Sequence, residues 1–228
     1  MKSMKEKKSV LSRFVHDQGD INELCVLLKK IQKSLGEYCP ETYLKTFCVA
    51  NPPLKCVWIG NAPYEGKGDI QPTGIPFQTK DNVPSKTLRR FATAMELEKD
   101  EIPDVERMSD ECGFLMVNAS LTVSTRNRKP QYSVWHQFIC ILLACLYEEY
   151  PQCLFVFWGA KARALLDDEM LQKMANNERL NSSCKDGVKR VYKCHHPIGA
   201  SKDELKKMMD ILRASGIDWC SVKSKGVV

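Results

Sequence analysis

Four short apolar runs set the strongest constraint on this chain: KCVWIG at 55–60, GFLMVN at 113–118, CLFVFWG at 153–159 and VKRVYKC at 188–194. The first three are continuous rather than alternating, the pattern of strands buried on both faces. The fourth is mixed and reads as an edge strand. Helical patterns separate them, at 84–98, 132–150, 160–178 and 201–215, with another ahead of them at 20–36. Strands alternating with helices predict an α/β fold: a central four-stranded parallel sheet between two helical layers, α/β/α. In such sheets the ligand site lies beyond the carboxyl ends of the strands. Each run here is followed by polar or Gly/Pro-rich sequence: GNAPYEGKGD, NASLTVSTRN, WGAKA and HHPIGAS. The site is expected to be assembled from these four loops.

Local signals refine the boundaries. Asp20 reads as an N-cap and Gly36 as a stop for the first long helix. Pro84 and Ser85 open the next, and Ser201 followed by Asp203 and Glu204 opens the last. Residues 1–19 are basic and read as a flexible N-terminal arm or a short helix, and 20–228 as one domain. The basic start MKSMKEKKSV has no apolar stretch behind it, so no secretory signal is expected. No apolar run approaches about 18 residues, so no membrane-spanning helix is expected. With 228 residues, 43% hydrophobic and 27% charged, the chain can fill one full core, and disordered, collagen and coiled-coil classes are excluded. A net charge of +6 permits a polyanionic partner without requiring one.

The eleven cysteines mostly sit inside apolar runs, as Cys140 and Cys145 do in FICILLACL. They read as buried thiols in a reducing compartment, not as disulfides. No CxxC pair exists, and the spacing of Cys184, Cys194, His195 and His196 fits no common metal site, so no metal or other cofactor is expected.

The loops, in order, resemble the uracil-DNA glycosylase superfamily, and within it the family-1 enzymes, viral ones included. CVWIGNAPY at 56–64 is similar to the strand and water-activating loop written GQDPYH. GIPF at 74–77, FLMVNASLTV at 114–123, FWGAKA at 157–162, HPIGAS at 196–201 and GIDW at 216–219 are similar to later motifs, and Trp135 and Phe138 match the intervening helix. The resemblance spans roughly 54–220. It implies a DNA-repair enzyme that flips uracil out of DNA and hydrolyses its N-glycosidic bond. Asn61, Tyr64, Phe77 and Asn118 would bind uracil: Phe77 by stacking, Asn118 by reading the pyrimidine edge, Tyr64 by excluding the thymine methyl. His196 would donate to a uracil oxygen, with His195 structural. Ser85, Ala160, Lys161, Pro197, Ala200 and Ser201 occupy the DNA-binding positions.

The departures matter as much. The water-activating Asp falls at Ala62, and a methyl can neither position water nor oppose positive charge on the sugar. The loop's usual His is Glu65, a substitute base if it reaches. The intercalating Leu falls at Ala200, a poor wedge, and two phosphate-holding serines fall at Ala160 and Ile198. Three readings of Ala62 stay open: an inactivated variant, a slow natural glycosylase, or a binding protein that kept the fold. The lead is therefore an impaired glycosylase. The rivals are a non-catalytic DNA- or protein-binding subunit, such as a replication accessory factor, and a decoy for glycosylase regulators. DNA is the expected partner, contacted through Lys67, Arg126–Lys129 and Lys161. A replication protein is a further one, and the chain is expected to be a monomer in the nucleus or another intracellular DNA-containing compartment.

Overall fold

The computed structural model describes residues 3–66, 68, 70–80, 83–179, 189–217 and 222–225. Lys67, Cys184, Cys220 and the last two residues of GIDW lie outside these. The chain opens with α1 (Met4–Leu11), started by a reciprocal capping box between Ser3 and Glu6. Leu11, Phe14 and Val15 are fully buried, and Lys7 is only 2% exposed, against the Tyr43 ring. Of the loose arm or short helix expected over 1–19, Met4–Leu11 forms the helix, docked on the core. Its lysines mask a small apolar face that needs the core.

Helix α2 (Gln18–Ser34) buries Ile21, Leu24, Leu28 and Ile31. Its cap is Asp17, whose carboxylate accepts from Asp20 N; Asp20, the expected cap, sits in the first turn. There follow β1 (Tyr38–Cys39), α3 (Lys45–Val49), β2 (Cys56–Gly60) and α4 (Lys86–Ala94), capped by Ser85 as expected. Next come β3 (Glu101–Pro103), α5 (Val105–Glu111), β4 (Phe114–Asn118), β5 (Val123–Ser124), α6 (Tyr132–Glu149) and β6 (Leu154–Trp158).

The helix expected over 160–178 is broken. It consists of α7 (Ala160–Ala164), two 3-10 turns at Leu165–Asp167 and Glu169–Leu171, and α8 (Gln172–Glu178). The break falls at Asp168, which is extended (ψ 138) and bonds Met170 N with its carboxylate, offering the backbone an alternative to the helix. The last elements are β7 (Val191–Cys194), α9 (Lys202–Ala214), capped by Ser201, and β8 (Lys223–Lys225).

The four predicted runs form one parallel sheet in the order β4-β2-β6-β7, with β7 at an edge. Two antiparallel ladders, β1 with β5 and β3 with β8, lie beside it and were not foreseen; each is only two or three residues long. Alternation within the strands divides the core. Val57, Ile59, Leu115, Val117, Phe155 and Phe157 face the layer of α1, α2 and α6. Trp58, Phe114, Met116, Val156 and Trp158 face that of α4, α5 and α9. Full burial of each such side chain contributes about 1.5–3 kcal/mol before entropy is counted. No disulfide joins any of the nine cysteines among the described residues, and no helix there is long and apolar enough to cross a membrane.

Candidate functional site

A cavity of about 670 Å³ opens beyond the carboxyl ends of β2, β4 and β7. It is lined by Asn61, Ala62, Tyr64, Phe77, Asn118 and His196, the six residues expected to recognise and cleave, together with Glu65 and Ile198.

The parallel register sets Gly60 beside Asn118. A Cβ on Gly60 would lie 2.3 Å from Asn118 Oδ1 and 3.1 Å from Phe77 Cζ, so glycine is required for both side chains to converge there. Asn118 is 5% exposed, and no hydrogen bond to a described residue holds its amide, which opens onto the cavity.

Phe77 has φ +68, a conformation that bulky residues rarely adopt. Its ring is held edge-on to Trp58 and Phe91, at 6.1 and 5.7 Å between centroids. Its turn is held by a chain of polar bonds. Thr73 donates to Gln78 Oε1, while Gln78 Nε2 and Lys45 Nζ donate to Glu106 Oε2 at 2.8 and 3.0 Å. Burial pushes Glu106 up, but these two donors outweigh it and hold the carboxyl below its usual range. Backbone strain so heavily supported is typical of ligand sites.

Tyr64 donates to Ser85 Oγ at 2.8 Å and lies within 3.1 Å of the Phe77 carbonyl. Burial raises its phenol, partly offset by hydrogen bonds from Ser85 and Thr87. Ser85 is 3% exposed and also accepts from Leu88 N. Read from sequence as a DNA contact, it instead caps α4 and fixes Tyr64, because its oxygen is enclosed.

His196 is held below the ordinary imidazole range by desolvation. Its Nδ1 accepts from Ile198 N at 3.4 Å, which leaves the proton of the neutral ring on Nε2. His195 points away: its ring and backbone N engage Glu204. The loop between His196 and α9 is folded back, with Gly199 N and Ala200 N both donating to His196 O. Arg90 of α4 ties it down, donating from Nε to Pro197 O at 3.3 Å and from Nη2 to Ala200 O.

Two sequence assignments change in consequence. Ala200, expected at the wedge position as a poor wedge, is 3% exposed and faces the core. Ile198, expected at a phosphate-contact position, is 53% exposed on the cavity rim. Asn61 also differs. Its Oδ1 accepts from Ala162 N at 3.1 Å, and its amide occupies the space a Cβ on Gly159 (φ +92) would need. The amide therefore fastens the WGAKA loop to the site. Ala160, Lys161 and Ser201 are exposed outside the cavity lining; Lys161 lies over the Tyr132 ring and Ser201 accepts from Glu204 N. Lys86, Thr87, Arg90, Gln78 and Glu106 were not singled out from sequence. The only local hint was that Lys86 and Thr87 follow the Pro-Ser helix start.

A three-layer α/β/α fold with a polar cavity at the carboxyl edge of its sheet defines the class. Comparison with known proteins is consistent with it. No family model matches the chain. It is 31% identical over 118 residues to the uracil-DNA glycosylases of two strains of Desulfitobacterium hafniense, covering 49% of this chain and 51% of theirs. It is 31% identical over 123 residues to that of Dichelobacter nodosus, covering 50% and 53%. The chain thus spans about half the length of the curated relatives it matches. Among solved structures it resembles mimivirus uracil-DNA glycosylase, with TM-score 0.54 and 21% identity over 78% of this chain and 62% of that one. It also resembles the Y322F form of that enzyme in complex with UGI, with TM-score 0.55 and 23% identity over 77% and 63%. The fold is that of the uracil-DNA glycosylases, and sequence and fold together relate the chain to that superfamily.

Proposed function

We propose that this chain is a uracil-DNA glycosylase-type protein, family-1-like as in viral members, that takes a flipped uracil into the cavity and hydrolyses its glycosidic bond slowly. The observation that carries this reading is the convergence of the Asn118 amide, free to bond a ligand, with the strained Phe77 ring on one cavity wall. Asn118 supplies both a donor and an acceptor, which matches uracil N3–H and O4. Tyr64 stands where a thymine methyl would have to go.

Bond breaking leaves negative charge on the departing uracil and positive charge on the sugar. On the leaving side, neutral His196 donates Nε2–H to uracil O2 as charge develops there. On the sugar side, Ala62 offers only a methyl. Glu65 is the only carboxylate among the described residues lining the cavity, and we assign it whatever water activation this chain retains. The expected enzyme is strong in recognition and weak in hydrolysis.

The test is single-turnover excision from single-stranded uracil-containing DNA, which removes most of the flipping cost. Ala62→Asp is expected to raise the rate by roughly 10²–10⁴-fold, the scale of a positioned acid–base or electrostatic group. Glu65→Gln is expected to lower the residual rate at least about tenfold. No gain from Ala62→Asp in a folded protein would favour the rival reading, a non-catalytic binding subunit, which the missing carboxylate itself supports.

A further inference from the structure

Away from the cavity, three potential ligand atoms converge between α6 and the 3-10 turns after α7. His136 and Cys140 are four residues apart on α6, so their side chains share one helix face. Asp168 comes from the break between the two turns. His136 Nε2 lies 2.8 Å from Asp168 Oδ2 and 3.8 Å from Cys140 Sγ, and all three ligand atoms lie within 4.8 Å of one another. We propose that this triad is a binding site for a zinc-class divalent cation, held by Cys140 Sγ, His136 Nε2 and Asp168 Oδ2, with solvent as the fourth ligand.

Four features support the assignment. First, in a tetrahedral site with bonds of about 2.0–2.3 Å, ligand atoms stand about 3.3–3.8 Å apart. The sulfur–nitrogen separation already fits, and the nitrogen–oxygen pair must open by about half an ångström. Second, the ligand set is chemically selective. Thiolate and imidazole favour zinc-class metals over magnesium or calcium.

Third, the carboxylate is pre-oriented. Asp168 Oδ1 accepts from Met170 N at 2.9 Å, which turns Oδ2 toward His136. Such outer bonds orient metal ligands. Fourth, access is graded. The Cys140 side chain is buried, whereas those of His136 and Asp168 are 48% and 24% exposed. A cation would enter from the His136 side and keep solvent there.

The charges balance. On binding, Cys140 releases its Sγ proton to solvent. Neutral His136 carries its proton on Nδ1 and gives the Nε2 lone pair to the metal. Thiolate and carboxylate then neutralise the 2+ charge. Without the ion the same three groups make a hydrogen-bonded cluster, so the site needs little rearrangement. With it, α6 is clamped to the segment that follows the WGAKA loop.

The test is titration of the metal-stripped 228-residue chain with Co²⁺. The expected result is one equivalent bound, with thiolate-to-cobalt charge transfer in the near ultraviolet and tetrahedral ligand-field bands in the visible, both displaced by Zn²⁺. The chain has eleven cysteines, so assignment rests on variants. Cys140→Ser is expected to abolish the charge-transfer band, whereas Cys194→Ser keeps it. Asp168→Asn, at a partly exposed position, is expected to weaken Zn²⁺ binding at least about tenfold. It gives a readout even if Cys140→Ser does not fold. An unchanged band in folded Cys140→Ser, undiminished affinity in Asp168→Asn, or no stoichiometric Co²⁺ binding would overturn the proposal.

Discussion

Gly60 and His196 are the residues at which the site is most exposed to a one-atom change. In Gly60→Ala the new methyl would fall 2.3 Å from Asn118 Oδ1. The strand would survive, since alanine suits an extended backbone, but the amide would be pushed out of register with a pyrimidine. Affinity for free uracil, read by calorimetry, is expected to fall at least about tenfold, or ~1.4 kcal/mol, with only a small shift in Tm. His196 is desolvated, and its protonated form is the costly one. Nitrogen-15 spectra are expected to show the Nε2–H tautomer and a midpoint below the ordinary value of about 6.5. The sign follows. The unfolded chain binds this proton more readily, so the stability due to this group is full above about pH 6.5. It is lost as pH falls toward the folded midpoint. A midpoint at or above 6.5 would show that the ring is not held as described.

At the scale of elements, α4 is the bracket of the site. Its cap, Ser85, holds Tyr64, and a turn later Arg90 holds the loop between His196 and Ala200. One rigid helix thus spaces the Tyr64 ring, proposed to exclude a thymine methyl, from His196, the proposed donor to the leaving uracil. Arg90→Ala is expected to cost about 1–3 kcal/mol in urea unfolding, the range for charge-assisted bonds to carbonyls that are left unpaired. It should lower excision by about tenfold or more. Arg90→Lys is expected to restore little activity, because one ammonium cannot reproduce a guanidinium's forked donors. Equal activity in Arg90→Ala and the parent would remove the bracket role.

For the whole molecule, the question is how the site meets DNA. A net charge of +6 is modest, and the exposed cations Lys86, Arg126, Arg128, Lys129 and Lys161 are spread over several elements. Binding is expected to be weak and steeply salt-dependent, because released counterions set the slope. Lys86→Ala should reduce that slope by about one. If duplex DNA binds over the cavity, Ile198, an exposed apolar side chain on the rim, is the side chain proposed to enter the gap left by a flipped base. Ile198→Ala should therefore slow excision from duplex at least about tenfold while leaving single-stranded substrate nearly unchanged. An equal loss on both substrates would mean that Ile198 acts on the pocket and not on the duplex.

What the sequence determines by itself is whatever local pattern encodes. Continuous apolar runs such as LFVFW, short and flanked by turn residues, read as central strands. Ser85 and Ser201 can be read as caps from their neighbours, and the loops after the strands mark the binding edge. The docking of α1 was harder to read, because Leu11, Phe14 and Val15 lie in a lysine-rich stretch and are recognised as core only when a core is present. The break at Asp168 turned on a side-chain bond that competes with helical periodicity. Where the site's side chains sit was decided by tertiary contacts alone. Position in a motif put Ala200, a poor wedge, at the wedge position and Ser85 among the DNA contacts. Arg90, distant in sequence, folds the loop so that Ala200 is buried and Ile198 emerges, and Tyr64 claims the Ser85 hydroxyl. Likewise no spacing rule joins Asp168 to His136 and Cys140. They meet because the helix breaks where it does, and contacts made across the chain leave no periodic trace along it.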